Sequence, residues 1–222
     1  MANEMSNRDL VLNPGEYAYV QDQTKGQIKI HVGPTVVTQA GQDQPVIFEG
    51  GKFVRVKSLD EAVRRSPRAG EGEYLVLENP SKNGAKPDEG TVGNLPELLH
   101  GRKVNIPGPC VFALWPGQVA KVIPAHVLRS NQFLQVRVYN EEEARKNWKT
   151  AILKRAGKSE NPDPKADVKA ETSSVIGEAE NLDLTIGSRY IIKGTDVSFY
   201  IPPTGVEVVP DGEQCVEGVA DH

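Results

Sequence analysis

A mainly β protein is predicted by this sequence: small antiparallel sheet modules in tandem, with one inserted amphipathic helix at about residues 140–156. Three observations carry that expectation. Short β-branched and aromatic runs alternate with polar residues at the period of two that marks half-buried strands. Gly (21) and Pro (16) fall between those runs, where they punctuate turns. The same ordered set of anchors also recurs along the chain, which is how a repeat array announces itself.

The first module spans residues 1–57. Gly15-Glu16-Tyr17 opens a strand, "AYVQD", and a turn at Thr24-Lys25-Gly26 leads into a second. There Gln27, Lys29 and His31 alternate with Ile28, Ile30 and Val32, and the strand stops at Gly33-Pro34. The second module spans 58–139. Gly72-Glu73-Tyr74 repeats the opening 57 residues later, "LVLENP" follows, and "GRKVNIPGP" ends at Gly108-Pro109. Between the two strands lies a polar insertion, 80–100, poor in large apolar residues and therefore expected to be mobile. Lengthening a hairpin tip this way costs only about 0.6 kcal/mol per doubling. Pro116-Gly117 marks a further turn, and Phe133-Leu134 is expected to open a strand matching the one at Phe53-Val54.

Residues 140–181 read as a helix followed by a mobile polar segment. Asn140 can cap the first turn with Glu143 completing a capping-box-like pair, and Glu141/Arg145 and Glu142/Lys146 are spaced for i,i+4 ion pairs. Ala144, Trp148, Ala151 and Ile152 share one face, and Gly157 is a natural stop. Such a helix either docks on its own sheet or serves as a lid or partner-binding element. Residues 182–222 read as a third, incomplete module, in which "RYIIKGTDVSFYIPPTGVEVV" repeats the strand-Gly-strand element. Its last strand is expected to leave an unpaired edge that a second chain or further sequence covers, so that losing Val206–Val209 would remove association before folding.

Composition narrows the function classes. A net charge of −4 gives no reason to expect nucleic acid or anionic lipid as a partner. Hydrophobic content of 38% with 6% aromatics suits thin sheets more than one deep core. The N-terminus lacks the basic-then-apolar pattern of a signal peptide, and no apolar run reaches the roughly 18–20 residues of a membrane helix. The expected compartment is the cytoplasm, or else an assembled particle. His31, His100, His126 and His222 are scattered, and Cys110 and Cys215 have no metal or disulfide spacing. Arg64, Arg65 and Arg68 cluster without interleaved aromatics, as a solvated loop does. No phosphate loop, dinucleotide fingerprint, serine elbow or calcium loop is present. No enzyme and no cofactor are expected.

Three stretches resemble the major vault protein family, whose shell-forming chains are built from vault repeats. "GEYAYVQDQTKGQIKIHVGPTVVTQ" is similar to a repeat in which Tyr-Val-x-Asp, a turn and Val-Gly-Pro follow one another. "PGQVAKVIPAHVLRSNQFLQVRV" resembles the family's Pro-Gly-Glu linker into a strand ending Leu-x-x-Arg. "SRYIIKGTDVSFYIPPTGVEVV" is similar to its Glu-Trp-Leu-x-x-Gly-Pro signature, with Arg189-Tyr190 where Glu-Trp is usual. The resemblance covers about residues 9–56, 72–139 and 187–210. The two insertions depart from the family's pattern, and this chain contains no counterpart of its shoulder domain or cap helix. What the resemblance implies is a structural protein whose repeats pack laterally with copies of itself into the wall of a cage or ring, with cargo or another shell protein as further partners. The positions it implicates are structural and interfacial: Tyr17, Val32, Gly33, Pro34, Tyr74, Gly108, Pro109, Pro116, Gly117, Tyr190, Gly194 and Pro202, to which the helix face adds Trp148. Two alternatives stay open: a virion or tail-associated structural protein, and a monomeric β-module that binds a protein or glycan.

Overall fold

The computed structural model describes residues 9–156 and 182–209 and is mainly β, in several small antiparallel sheets. The chain forms two compact units. One takes residues up to 69 together with 75–102 and 109–122, and the other takes 70–74, 103–108 and the chain from 123 onward.

The strands in chain order are β1 (Leu10–Leu12), β2 (Glu16–Asp22), β3 (Ile28–Val32), β4 (Thr35–Val37), β5 (Asp43–Glu49) and β6 (Lys52–Arg55). A one-turn helix α1 (Leu59–Ala62) and β7 (Arg64–Arg65) follow. Next come β8 (Arg68–Ala69), β9 (Glu73–Glu78), β10 (Gly90–Val92), β11 (Lys103–Pro107), β12 (Cys110–Val111) and β13 (Val119–Pro124). The remainder is β14 (His126–Val127), β15 (Phe133–Val138), α2 (Glu141–Asn147), β16 (Ile152–Arg155), β17 (Arg189–Lys193), β18 (Val197–Ile201) and β19 (Val206–Val208).

One pairing scheme recurs three times. A short strand pairs with the fourth of its group: β1 with β4, β8 with β12, β14 with β18. The second strand is the centre of a sheet flanked by the third and fifth: β3–β2–β5, β11–β9–β13 and β17–β15–β19, where β10 and β16, which pair with β3 and β18, are left out of the numbering within groups. The groups therefore start near residues 10, 68 and 126. The third differs from the sequence expectation, because the strands of 182–209 take their central partner from Phe133–Val138, and that strand had been assigned to the second module. Phe133 is the counterpart of Tyr17 and Tyr74, not of Phe53. Phe133-Leu134 looks like Phe53-Val54 as much as like Tyr74-Leu75, so the local pattern alone does not separate the two kinds of strand.

The insertion at 80–100 is a folded element, which corrects the expectation of a mobile loop. Its neck is held by backbone bonds from Asn79 to Arg102, Lys82 to Glu97 and Leu99 to Pro80. Buried Ser81 donates to the Ala85 carbonyl (2.7 Å), which also accepts from the Trp115 indole (2.7 Å). Farther out, β10 pairs with β3 from Gly90↔Val32 to Val92↔Ile30. Counting apolar residues underestimated this segment, since a strand that finds an open edge satisfies its backbone without burying large side chains. The expected mobile stretch 157–181 lies outside the described residues.

The helix is also shorter than expected. Asn140 accepts from the Glu143 N–H (3.1 Å) as its cap, but α2 ends at Asn147 and passes through a single 3-10 turn, Trp148–Thr150. Ile152–Arg155 is strand, paired with Val197–Ile201. Helical pattern and charge pairing favour continuation, yet an unfilled edge on β18 offers a full ladder, and tertiary pairing overrides propensity. Three of the four residues of the expected face are interior: Ala144, Trp148 and Ala151 join Leu134, Val136, Val138, Leu184, Ile192, Val197, Tyr200 and Val206 in one core cluster, while Ile152 is exposed. The helix therefore docks on its own sheet. Val206 and Val209 are fully buried. Deleting Val206–Val209 would gut this core, so the expected separation of association from folding at that strand does not hold.

A second cluster belongs to the first group: Leu12, Ala18, Val20, Val37 and Ile47, closed by Leu59 and Ala62 of α1. Ser58 caps α1, and Glu61 reaches back to the Lys57 N–H (3.0 Å).

Candidate functional site

The recurring feature with chemical content is a turn lock at the start of each group. In Asn13–Glu16 the Glu16 N–H donates to the Asn13 carbonyl (3.0 Å), while the Asn13 N–H donates to the Glu16 carboxylate (2.9 Å). Gly70–Glu73 closes the same two bonds at 3.3 and 2.7 Å, and Arg129–Gln132 at 2.9 Å each. The carbonyl of the last residue then accepts from a glycine N–H across the sheet: Gly33 to Glu16 (2.8 Å), Gly108 to Glu73 (2.9 Å) and Gly194 to Gln132 (2.8 Å). Donation from the Asn13 backbone, and next from its side-chain amide, holds the exposed Glu16 carboxyl below its ordinary value. The same reciprocal turn is reused at Trp115–Gln118 and Ala40–Asp43, before β13 and β5.

Gly33 and Gly194 are required by contact. A Cβ on Gly33 would lie 2.1 Å from the Asn13 carbonyl oxygen, and one on Gly194 would lie 1.8 Å from that of Arg129. The backbones of two turns meet there with no room for a side chain.

The residues singled out from sequence are placed as follows. Tyr17 and Val32 are buried cross-strand partners, and Pro34 follows Gly33 into β4. Tyr74 is buried, with its hydroxyl 3.3 Å from His126 Nε2. Burial pushes the Tyr74 phenol up to about 12 and pulls the His126 imidazole below its usual value, so both are neutral near pH 7. Gly108 makes the sheet-crossing bond, while Pro109 is exposed. Pro116 is buried, and the Gly117 carbonyl accepts from the Asn79 amide (2.9 Å). Trp148 packs edge-on against Tyr190 at 5.6 Å, and the Tyr190 hydroxyl donates to the Asp183 carbonyl. Gly194 sits in the lock, and the Pro202 carbonyl accepts from Asn105. These positions hold the groups themselves together. Most of them are buried.

Sequence reasoning missed the side chains of Glu16, Glu73 and Gln132, although "NPGE", "GEGE" and "RSNQ" display a four-residue turn ending in Glu or Gln. It also missed Asn105, whose amide lies within 3.2 Å of the carbonyls of Pro202, Pro203 and Val206 and whose N–H meets Thr204 Oγ1 at 3.0 Å. Nothing local in "KVNIP" marks that role. Arg137 grips Glu207 through two nitrogens, at 3.1 and 2.8 Å, across the β15–β19 ladder.

Titratable groups elsewhere are dispersed. His31 meets Thr91 Oγ1 at 2.8 Å where β3 receives β10, and burial lowers its pKa. The Tyr200 hydroxyl is enclosed and makes no hydrogen bond, and burial holds it protonated. Among the described residues no three His, Cys, Asp or Glu side chains converge as metal ligands would. Also among them, no helix is long and apolar enough to cross a membrane.

Two strand edges are exposed in the largest sheet. The sheet β10–β3–β2–β5–β6 ends on β6, whose Lys52, Phe53, Val54 and Arg55 are all exposed, and on β10, preceded by exposed Asp88 and Glu89. No family model matches this chain, and neither does any curated protein.

Proposed function

We propose that this chain is a non-enzymatic structural protein whose β-repeats pack side by side, copy against copy, into the wall of a large homo-oligomeric shell or ring in the cytoplasm. The observation that carries this reading is the threefold recurrence of one strand-pairing scheme with one turn lock. A pairing scheme repeated in one chain gives each group equivalent strand edges, so a single mode of lateral contact can be used by each of them. The resemblance of the quoted motifs to vault repeats supports the same reading. So does the placement of the motif residues within the hydrogen bonds and core of their own groups.

Negative-stain microscopy with sedimentation velocity on the purified chain tests the proposal. Rings, arcs or shell fragments are the expected result. A homogeneous monomer at high concentration would overturn it in favour of a monomeric module that binds a protein or glycan.

A further inference from the structure

The two edges of the sheet β10–β3–β2–β5–β6 carry opposite charge. Lys52, Arg55 and, just beyond the strand, Lys57 line the β6 side, while Asp88 and Glu89 lead into β10. Neither Lys52 nor Arg55, nor Asp88 or Glu89, makes an ion pair among the described residues. Each strand has a ladder partner on one side only, so half of its backbone N–H and C=O groups point outward.

Strand polarity limits how these edges can be used. Every neighbouring pair from β10 to β6 is antiparallel, so β10 and β6, an even number of strands apart, run in the same direction. Two-fold pairing would bring β6 against β6, setting Lys52, Arg55 and Lys57 against themselves, or β10 against β10, setting Asp88 and Glu89 against themselves. Like charges across a strand pair are unfavourable, and lysines on an edge are a common guard against self-pairing. A copy rotated about an axis parallel to the strands keeps their direction and brings β6 beside β10 with opposite charges facing. Such a heterologous contact closes into a ring when the rotation divides a full turn, and otherwise runs on as a filament.

We propose that the partner of the β6 edge is the β10 edge of a second copy of this chain, joined as a parallel strand pair whose register is chosen by Lys52 and Arg55 against Asp88 and Glu89. The inference rests on the shell-wall reading and specifies its contact. Backbone bonds supply the adhesion, and the charges exclude the two symmetric pairings and speed encounter. The insertion that supplies β10 thereby has a function: it replaces the β3 edge, which carries Lys29 and His31, with an acidic one.

The test is a charge swap in the full-length chain. One variant carries K52E and R55E, the other D88K and E89K, each checked by circular dichroism for an unchanged β spectrum. Under conditions where the wild type associates, each variant alone is expected to sediment as a monomer. Their equimolar mixture is expected to recover assembly, because acidic β6 then meets basic β10 and basic β6 meets acidic β10. Association of both variants at wild-type level would overturn this contact while leaving the shell reading in place, through another surface. Loss in both variants with no recovery on mixing would overturn it as well. A wild type that never associates removes the shell reading itself.

Discussion

Replacing Gly194 by Ala isolates the turn lock, since the new Cβ would stand 1.8 Å from the Arg129 carbonyl oxygen, 2.7 Å from its carbon and 2.8 Å from the Gln132 carbonyl oxygen. All three neighbours are backbone, so no rotamer change relieves the clash. The Gln132–Phe133 start of β15 must separate from the Lys193–Gly194 end of β17. That separation removes the Gly194 N–H bond to Gln132 (2.8 Å), worth about 1 kcal/mol, and strains the adjoining Phe133↔Lys193 pair. Forcing a methyl into a filled site adds roughly 1–3 kcal/mol. The expected loss is about 2–4 kcal/mol, read as a lower urea midpoint with unchanged slope. Gly33→Ala, 2.1 Å from the Asn13 oxygen, should cost a similar amount in the first group. Gly41→Ala serves as the control: nothing lies within 4 Å and its φ is ordinary, so it should be neutral or stabilise by about 0.4–1 kcal/mol. A Gly194→Ala midpoint indistinguishable from that of Gly41→Ala would refute the lock.

Further outcomes concern groups outside the lock. Asn105→Ala leaves the carbonyls of Pro202, Pro203 and Val206 without their shared donor and should cost about 1–3 kcal/mol in denaturant unfolding, whereas a surface Asn such as Asn94 should cost almost nothing. His31 and His126 have folded pKa values below the unfolded value of about 6.5, so the unfolded chain binds protons first as pH falls. Stability should therefore be full above about pH 6.5 and decline as pH drops below it, and His126→Gln should flatten part of that decline. Limited proteolysis should spare residues 80–100, because their neck and β10 are hydrogen-bonded. Early cleavage there would contradict the pairing of β10 with β3.

Much of the repeat was legible because it is written in local chemistry. Gly15-Glu16-Tyr17 and Gly72-Glu73-Tyr74 mark equivalent turns, and Gly33, Gly108 and Gly194 donate equivalent crossing bonds, with a close backbone approach demanding glycine at Gly33 and Gly194. The alternation in β3 and the cap at Asn140 belong to the same class: they depend on neighbours a few residues away. The third group was misassigned because its first turn, Arg129–Gln132, keeps the hydrogen bonds of the others without the positive-φ glycine found at Gly15 and Gly72, so the anchor disappears from the sequence while the bonds persist.

What the sequence by itself determined was the β class, the recurring turn and the inward face of the helix. Each follows from periodicity and from the φ, ψ and capping preferences of single residues. Only tertiary structure decided that β10 would cover the β3 edge, that Ile152–Arg155 would leave a helical pattern to pair with β18, and that Asn105 would serve three distant carbonyls. The physical reason is common to all three. An open strand edge or an unpaired carbonyl is a demand created by the folded chain, and whichever segment reaches it with free backbone or amide groups satisfies it, whatever that segment's own pattern favours.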